Sequence, residues 1–391
     1  MRKTSDWTQI CLIMAAGIIA AAQIGKAAIA MPVIQQDLGL GLLAVSWIVS
    51  AYAALGALGG MAAGFFASFF ALRHVVIAGL AFIALGNFMG AVTDQTAPLI
   101  VSRVVEGIGF LAIAISGPTL LRTVTSKEHQ PVVFGIWSAY IPVGAAFMML
   151  AGPFIMQGDW RTLWLFNGAL AAAHALLTMA VRPAGLQGSF KTTRPHQGEI
   201  VHVLRSRHLQ LLAGGFFLYA VQYYALATFL PVFLVGRLGF SLAQAGTITA
   251  VALLANALGN IVAGLCLKRG VSLFALMTAA FLTIGIMGFG IFSDASPALL
   301  VAISAGLCLG VAALLPATVI ATISRDASSS STLALSMGFI QQSSTLGQLI
   351  GPVILAFWIG QFAWNGVPYL FTAIAFLGLV ITILIRRAKR V

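Results

Sequence analysis

Two cations stand inside apolar runs that would ordinarily exclude them: Lys26 within Ala20–Met31 and Arg103 within Leu99–Leu111. Glu106, three residues after Arg103, is the one acid placed deep in such a run; the other eight of the nine acids fall in loops or at run edges. Gln23 precedes Lys26 by the same spacing. Residues three apart share a helical face, so Gln23 sides with Lys26 and Glu106 with Arg103. A charge in the middle of a membrane costs about 2.5–3.5 kcal/mol even on a lenient insertion scale, so each cation needs a partner or water. After Glu106 is counted, Lys26 and Arg103 leave one positive charge, which an anionic solute would neutralise. A guanidinium meets a carboxylate through parallel bonds, whereas an ammonium acts as a compact point charge. Two plainer readings stand beside this one: Lys26 can snorkel along its stem to the surface, and Arg103 can form a purely structural pair with Glu106. The candidates for carrying a coupled proton are Glu106 and His174.

The second half of the chain offers neutral groups. Tyr219 and Tyr223 lie four residues apart on one face, with Gln222 beside them. Rings of this kind can pack on a flat solute while their hydroxyls keep hydrogen-bond partners. Gln341 opens a polar run that reaches Thr345, and Asn256 and Asn260 are also four apart. The plainer reading of these side chains is hydrogen bonding between helices.

The elements that must position these residues are long apolar helices. Apolar blocks fall near 8–31, 45–70, 74–93, 97–121, 132–156, 162–181, 209–235, 242–267, 271–292, 296–320, 333–358 and 365–385, each long enough for a hydrocarbon core. With both termini cytoplasmic, seventeen of the 21 Lys and Arg residues fall on the inner side, and only Arg161 and Arg237 outside. On these boundaries Lys26 and Arg103 lie roughly 8–9 Å below the outer edge. Hydrophobic residues make up 60% and charged residues 8%, which excludes a soluble domain. Topology accounts for the net charge of +12, and no basic cluster is interleaved with aromatics, so no nucleic-acid partner is expected. Cys11, Cys266 and Cys308 all lie in spans without metal-ligand spacing, so neither disulfide, metal nor cofactor is expected. The first apolar block is too long for a signal-peptide core and should remain as the first helix.

The chain repeats itself at about 200 residues. Met31-Pro32-Val33 with Leu38-Gly39 answers Leu230-Pro231-Val232 with Leu238-Gly239, Gly64 answers Gly264, Gly152-Pro153 answers Gly351-Pro352, and Pro118 answers Pro316. A repeat spanning an even number of helices gives two copies of the same orientation. The expected division is a six-helix bundle over 1–181, a basic cytoplasmic linker over 182–208, and a second six-helix bundle over 209–391. Two such halves can rock about a site between them.

Four passages resemble the major facilitator superfamily. They are Ala30-Met-Pro-Val-Ile-Gln-Gln-Asp-Leu-Gly39 with Ser46-Trp47, Ser102-Arg103-Val-Val-Glu-Gly107-Ile-Gly109, the series Gly135, Gly144 and Gly152-Pro153, and Trp160-Arg161 with Phe166-Asn167. A finer resemblance, to the cyanate-permease and nitroimidazole-transporter branch, rests on Gly135–Gly144, Gly259–Gly270 and Gln341–Gln348. In two places the chain departs from the superfamily: Ser68 stands where an acid usually follows the second helix, and Gln23 where many drug exporters have an Asp. The resemblance implies an all-α fold of twelve transmembrane helices and a secondary active or facilitative carrier, not an enzyme, in a bacterial-type inner membrane. The expected partners are a small organic anion, protons and the lipid bilayer. One alternative is a proton-coupled exporter of neutral or cationic aromatic compounds; another is a membrane scaffold that transports nothing.

Overall fold

The computed structural model describes residues 5–67, 70–181, 201, 203–326 and 330–388. Ser68, most of the expected linker 182–208 and the terminal basic residues Arg2, Lys3, Lys389 and Arg390 lie outside these. In the first half, helices run as α1 (Trp7–Asp37), α2 (Leu42–Ser50), α3 (Ala54–Ala67), α4 (Leu72–Ala91), α5 (Thr96–Val124), α6 (Gln130–Ser138), α7 (Tyr140–Met156) and α8 (Trp160–Ala180). The second half continues as α9 (Arg207–Leu238), α10 (Leu242–Lys268), α11 (Leu273–Phe292), α12 (Ala298–Ala312), α13 (Leu314–Asp326), α14 (Ser330–Phe362) and α15 (Val367–Ala388). A short 3-10 turn, Ala51–Ala53, joins α2 to α3. Among the described residues, 11 helices are long and apolar enough to cross a membrane, and 12 when the bent pair α6–α7 is taken as one span.

Proline explains where the expected spans break. The fifth span was expected to be continuous over 132–156, yet it bends by 49° between α6 and α7. Pro142 has no amide for the Ser138 carbonyl, and its ring crowds that carbonyl, so the ladder fails at Ala139. The tenth span is interrupted at Ala313 in the same way, four residues after Leu309 and three before Pro316. The first span runs past its expected end at 31, through Pro32 to Asp37. It stops at Leu38-Gly39, and α9 stops at Leu238-Gly239; both glycines adopt left-handed backbone, with φ of +61° and +68°. The repeated dipeptide is thus a repeated helix stop.

Polar contacts at the helix ends show the alternation of the spans. Arg161, opening α8, bonds Asp37 at the end of α1 (2.9 Å) and Asp94 before α5. At the opposite face, the Asp6 amide donates to the Val124 carbonyl at 2.9 Å, and Arg73 donates to the Val181 carbonyl at 2.8 Å. In the second half Arg237 pairs with Asp294.

Within each half, equivalent helices meet backbone to backbone. A side chain at Gly25 or Gly144 would collide with α7 or α1, and one at Gly347 or Gly351 with α9. Two of the seams along which the halves touch are α14 on α3 and α10 on α7. Gln342 Nε2 of α14 donates to the Ala57 carbonyl of α3 at 3.1 Å. Gly246 of α10 lies against the Met149 carbonyl of α7, an oxygen that has lost its helical partner because Pro153 has no amide. The spans α1 and α9 are the most enclosed, with 78% and 83% of their apolar windows buried, and they form the centre of the molecule.

Candidate functional site

The charged residues singled out by the sequence converge on one cluster. Lys26 Nζ donates to Asn87 Oδ1 at 2.6 Å and to Glu106 Oε1 and Oε2 at 3.0 and 2.9 Å. Arg103 reaches the same carboxylate through Nη1, while its Nη2 donates to the Gln23 carbonyl (3.0 Å) and its Nε to the Ile48 carbonyl (3.3 Å). Two rings cover the cations: Trp164 lies 4.0 Å from Lys26 Nζ, and Tyr52 lies 4.6 Å from the Arg103 guanidinium carbon. Lys26, Arg103, Glu106, Asn87, Gln23 and Asn167 are all 0% exposed.

Helical register assembles this cluster. Gln23 and Lys26 occupy one face of α1, and Arg103 and Glu106 one face of α5, as their spacing requires. Gly86 lets α4 come close: a side chain there would lie 2.6 Å from Glu106 Cγ. An amide chain then closes the polar ledger. Asn87 Nδ2 donates to Gln23 Oε1 at 3.0 Å, and Gln23 Nε2 donates to Asn167 Oδ1 at 3.1 Å. Three participants, Asn87, Asn167 and Trp164, were not read from the sequence. A lone amide in each of two apolar runs was the available signal, because a buried amide needs partners.

The depth of Lys26 corrects the earlier expectation. Because α1 continues to Asp37, Lys26 lies about 16 Å from that helix end rather than 8–9 Å. A lysine stem does not span that distance, and Lys26 turns inward to Glu106 instead of snorkelling outward.

The second group of candidates does not join this cluster. Tyr219 and Tyr223 stack with centroids 5.7 Å apart, but the Tyr219 hydroxyl accepts from Asn256 Nδ2 at 3.1 Å, inside the second bundle. Gln222 Nε2 faces Cys308 Sγ at 3.3 Å. The offset relating Pro32 to Pro231 also relates Gln23 to Gln222, so these two glutamines are repeat counterparts. By the same offset Ala225 stands for Lys26, and by the offset relating Pro118 to Pro316 Val301 and Ser304 stand for Arg103 and Glu106. The charges of the Lys26 cluster therefore have no counterpart at the matching positions of the second half. His174 Nε2 donates to the Leu12 carbonyl at 2.9 Å, away from the cluster. Gln341 is half-buried on α14, one turn from Ser344.

Where the halves meet, the structure adds residues that the sequence reading passed over. Tyr224 lies close to Ser344 of α14, with Tyr140 of α7 and Tyr52 in its neighbourhood. Trp137 stacks on Tyr140 at 4.6 Å and is wedged against Gly17 and Gly117. Tyr52 thus touches both systems: its ring covers Arg103, its hydroxyl donates to the Ala20 carbonyl at 2.6 Å, and Tyr224 of the other half is nearby.

Known proteins resemble this chain in sequence and in fold. The puromycin resistance protein pur8 of Streptomyces alboniger is 29% identical over 182 residues, covering 45% of this chain and 35% of that protein. The tetracenomycin C resistance and export protein of Streptomyces glaucescens is 29% identical over 159 residues, covering 39% of this chain and 30% of that protein. These matches span about a third of the relatives' own length. The crystal structure of the nucleoside transporter NupG superposes with a TM-score of 0.78 over 96% of this chain and 99% of that one, at 10% identity, which establishes the fold alone. The profile of the Major Facilitator Superfamily matches residues 13–325 and 212–391. Twelve apolar spans, the duplicated glycine seams and a profile match across nearly the whole chain lead to one conclusion: this multi-pass membrane protein belongs to the Major Facilitator Superfamily of transporters, and it is not an enzyme.

Proposed function

We propose that the chain is a proton-coupled secondary carrier that exports a small neutral or cationic aromatic compound across a bacterial-type inner membrane. One observation carries this reading. Every side-chain nitrogen of Lys26 and Arg103 is already bonded inside the protein, to Glu106, Asn87 or backbone carbonyls, at 0% exposure. The pair that the sequence offers as an anion seat presents nothing to a solute here and instead behaves as a buried charge store, suited to coupling. The solute's place is the junction of Tyr52, Tyr140, Tyr224 and Ser344, with Tyr223 and Gln341 adjoining it. Amphipathic rings of this kind hold flat aromatic compounds. Tyr219, Gln222 and His174 take packing roles.

The bundles 1–181 and 209–391 rock about that junction, with the linker 182–208 and both termini cytoplasmic. The distribution of basic residues supports this orientation. Two related proteins carry resistance or export in their names, which supports the outward direction. Within the superfamily, placement in the cyanate-permease and nitroimidazole-transporter branch rests on the Gly135–Gly144 and Gln341–Gln348 passages.

A second reading, carriage of an organic anion, is favoured by the count of two cations to one carboxylate in the cluster. Thermal unfolding of the detergent-solubilised protein with benzoate, chloride, ethidium and puromycin separates the two. A ligand at a hundredfold its Kd adds about 2.7 kcal/mol of stability whatever the transport direction. Stabilisation by ethidium or puromycin is the expected result, and stabilisation by benzoate alone would transfer the conclusion to the anion carrier.

A further inference from the structure

The amides of the Lys26 cluster are bonded to one another, but two in the second half keep an oxygen with no donor. Among the described residues the buried and unpaired side-chain amide oxygens are those of Gln222 and Gln348, and the Tyr223 hydroxyl is unpaired as well. Gln222 turns its amide to Cys308, inside the second bundle. Gln348 points elsewhere, as the packing of α14 shows. Gly347 and Gly351 lie against Ala220 and Val221 of α9, while Gln342 and Thr345 meet Ala57 and Gly56 of α3. At about 3.6 residues per turn Gln348 falls between these two stripes, on the strip it shares with Gln341. The opposite side of α14 carries the exposed Leu346 and Phe357. Gln348 is thus aimed at the junction of the halves, where it is 4% exposed. Ser344, one turn before it, lies beside Tyr224, and the Tyr224 ring meets Tyr223 edge-on at 4.9 Å.

An unpaired buried carbonyl is a standing cost to the fold, because it has given up water and received nothing. A glutamine kept only to join helices would be bonded, as Gln23 and Gln342 are. Neither α14 nor residues 209–236 of α9 include a charged side chain, so what these atoms can read is hydrogen bonding rather than charge. An amide oxygen only accepts, and a phenol oxygen can accept as well. We propose that Gln348 and Tyr223 select, among flat aromatic solutes, those bearing N–H groups on the rim of the ring, the class of aromatic amines. Gln348 Oε1 accepts one such hydrogen and the Tyr223 oxygen a second, while the tyrosine rings take the solute's face. A fully alkylated nitrogen leaves both oxygens unpaired, as they are without solute. This deepens the aromatic-exporter reading and rests on it, by naming the group on the solute that is read.

The test uses two dyes built on one cationic phenothiazinium ring. Thionine ends in primary amines, and methylene blue carries dimethylated nitrogens without hydrogen. Binding of each to the detergent-solubilised full chain is measured by equilibrium dialysis, as wild type, Gln348→Met and Tyr223→Phe. Wild type should hold thionine about tenfold more tightly, the worth of a hydrogen bond to an otherwise unpaired buried group. That ratio should fall to about twofold or less in Gln348→Met, and should also fall in Tyr223→Phe. Equal affinities in wild type, or a preference undiminished in either variant, would overturn the inference and leave the aromatic carrier standing; binding of neither dye would remove both. Thermal unfolding without dye gives a second readout. Methionine in place of an unpaired amide should leave the folding constant unchanged or raise it, whereas a drop of about tenfold or more would show the amide bonded in a structural role and refute its part in selection.

Discussion

Glu106→Gln removes the carboxylate that the buried Lys26 and Arg103 share, and its cost can be worked from the contacts. Glu106 accepts from Lys26 at 2.9 and 3.0 Å and from Arg103, with all three side chains fully buried. Removing one member of a buried pair costs about 3–5 kcal/mol, because the remaining charge is stranded without a counter-ion. Arg103 is stranded in every protonation state, so the cost should fall in that range. Lys26→Met leaves the Arg103–Glu106 pair intact but takes the Lys26 hydrogen bonds from the Asn87 oxygen and from Glu106 Oε1, a loss of about 1–3 kcal/mol. The expected order is therefore Glu106→Gln well below Lys26→Met, read as the midpoint of thermal unfolding in detergent together with the monodisperse yield. A loss of less than about 1 kcal/mol for Glu106→Gln, or the reverse order, would mean that water or lipid reaches the cluster and that the sealed-site argument is wrong.

Three further outcomes follow from the packing. Gly246→Leu should push α10 off the Met149 carbonyl and cost about 1–3 kcal/mol of overpacking, and a cysteine placed on the Asp37 face of this seam should react faster with thiol reagents. Pro142→Ala should restore the ladder at Ala139; spin labels at Val132 and Leu150 should then move apart from about 25 to about 27 Å, as expected for straightening a 49° bend. Arg161→Ala should lower stability by no more than about 1 kcal/mol, because its pairs with Asp37 and Asp94 are partly solvated and screened; a loss several times larger would show that this face is sealed from water.

The span count and the pairing of Arg103 with Glu106 were legible in the sequence because both follow from short-range rules: hydropathy over about twenty residues and side chains one turn apart. The joining of Lys26 to the same carboxylate was not, since it depends on how α1 and α5 cross. The depth of Lys26 was misjudged because Pro32 reads as a helix end, whereas here it sits inside a helix that neighbouring spans support. Asn87 and Asn167 went unweighed because single amides in apolar runs have many plain explanations, and only the three-dimensional chain through Gln23 gives them one in common. The breaks in spans five and ten were written at Pro142 and Pro316, but hydropathy averages across them. Tyr219 and Tyr223 were seen as a pair on one face able to pack on a flat solute, yet spacing within α9 could not say which bundle that face would enter.

The contact of Gly246 with the Met149 carbonyl has a mechanical consequence. A surface that opens and closes in every cycle cannot be fastened by strong directional bonds, or release would become the slow step. Pro153 frees the Met149 oxygen from its own helix, and that oxygen lies against Gly246 of the opposite bundle, where there is no side chain. A Cα–H···O contact of this kind contributes about 0.5–1 kcal/mol. That is enough to register one surface against the other, and little enough to be surrendered to a passing water. The seam works as a detent rather than a lock.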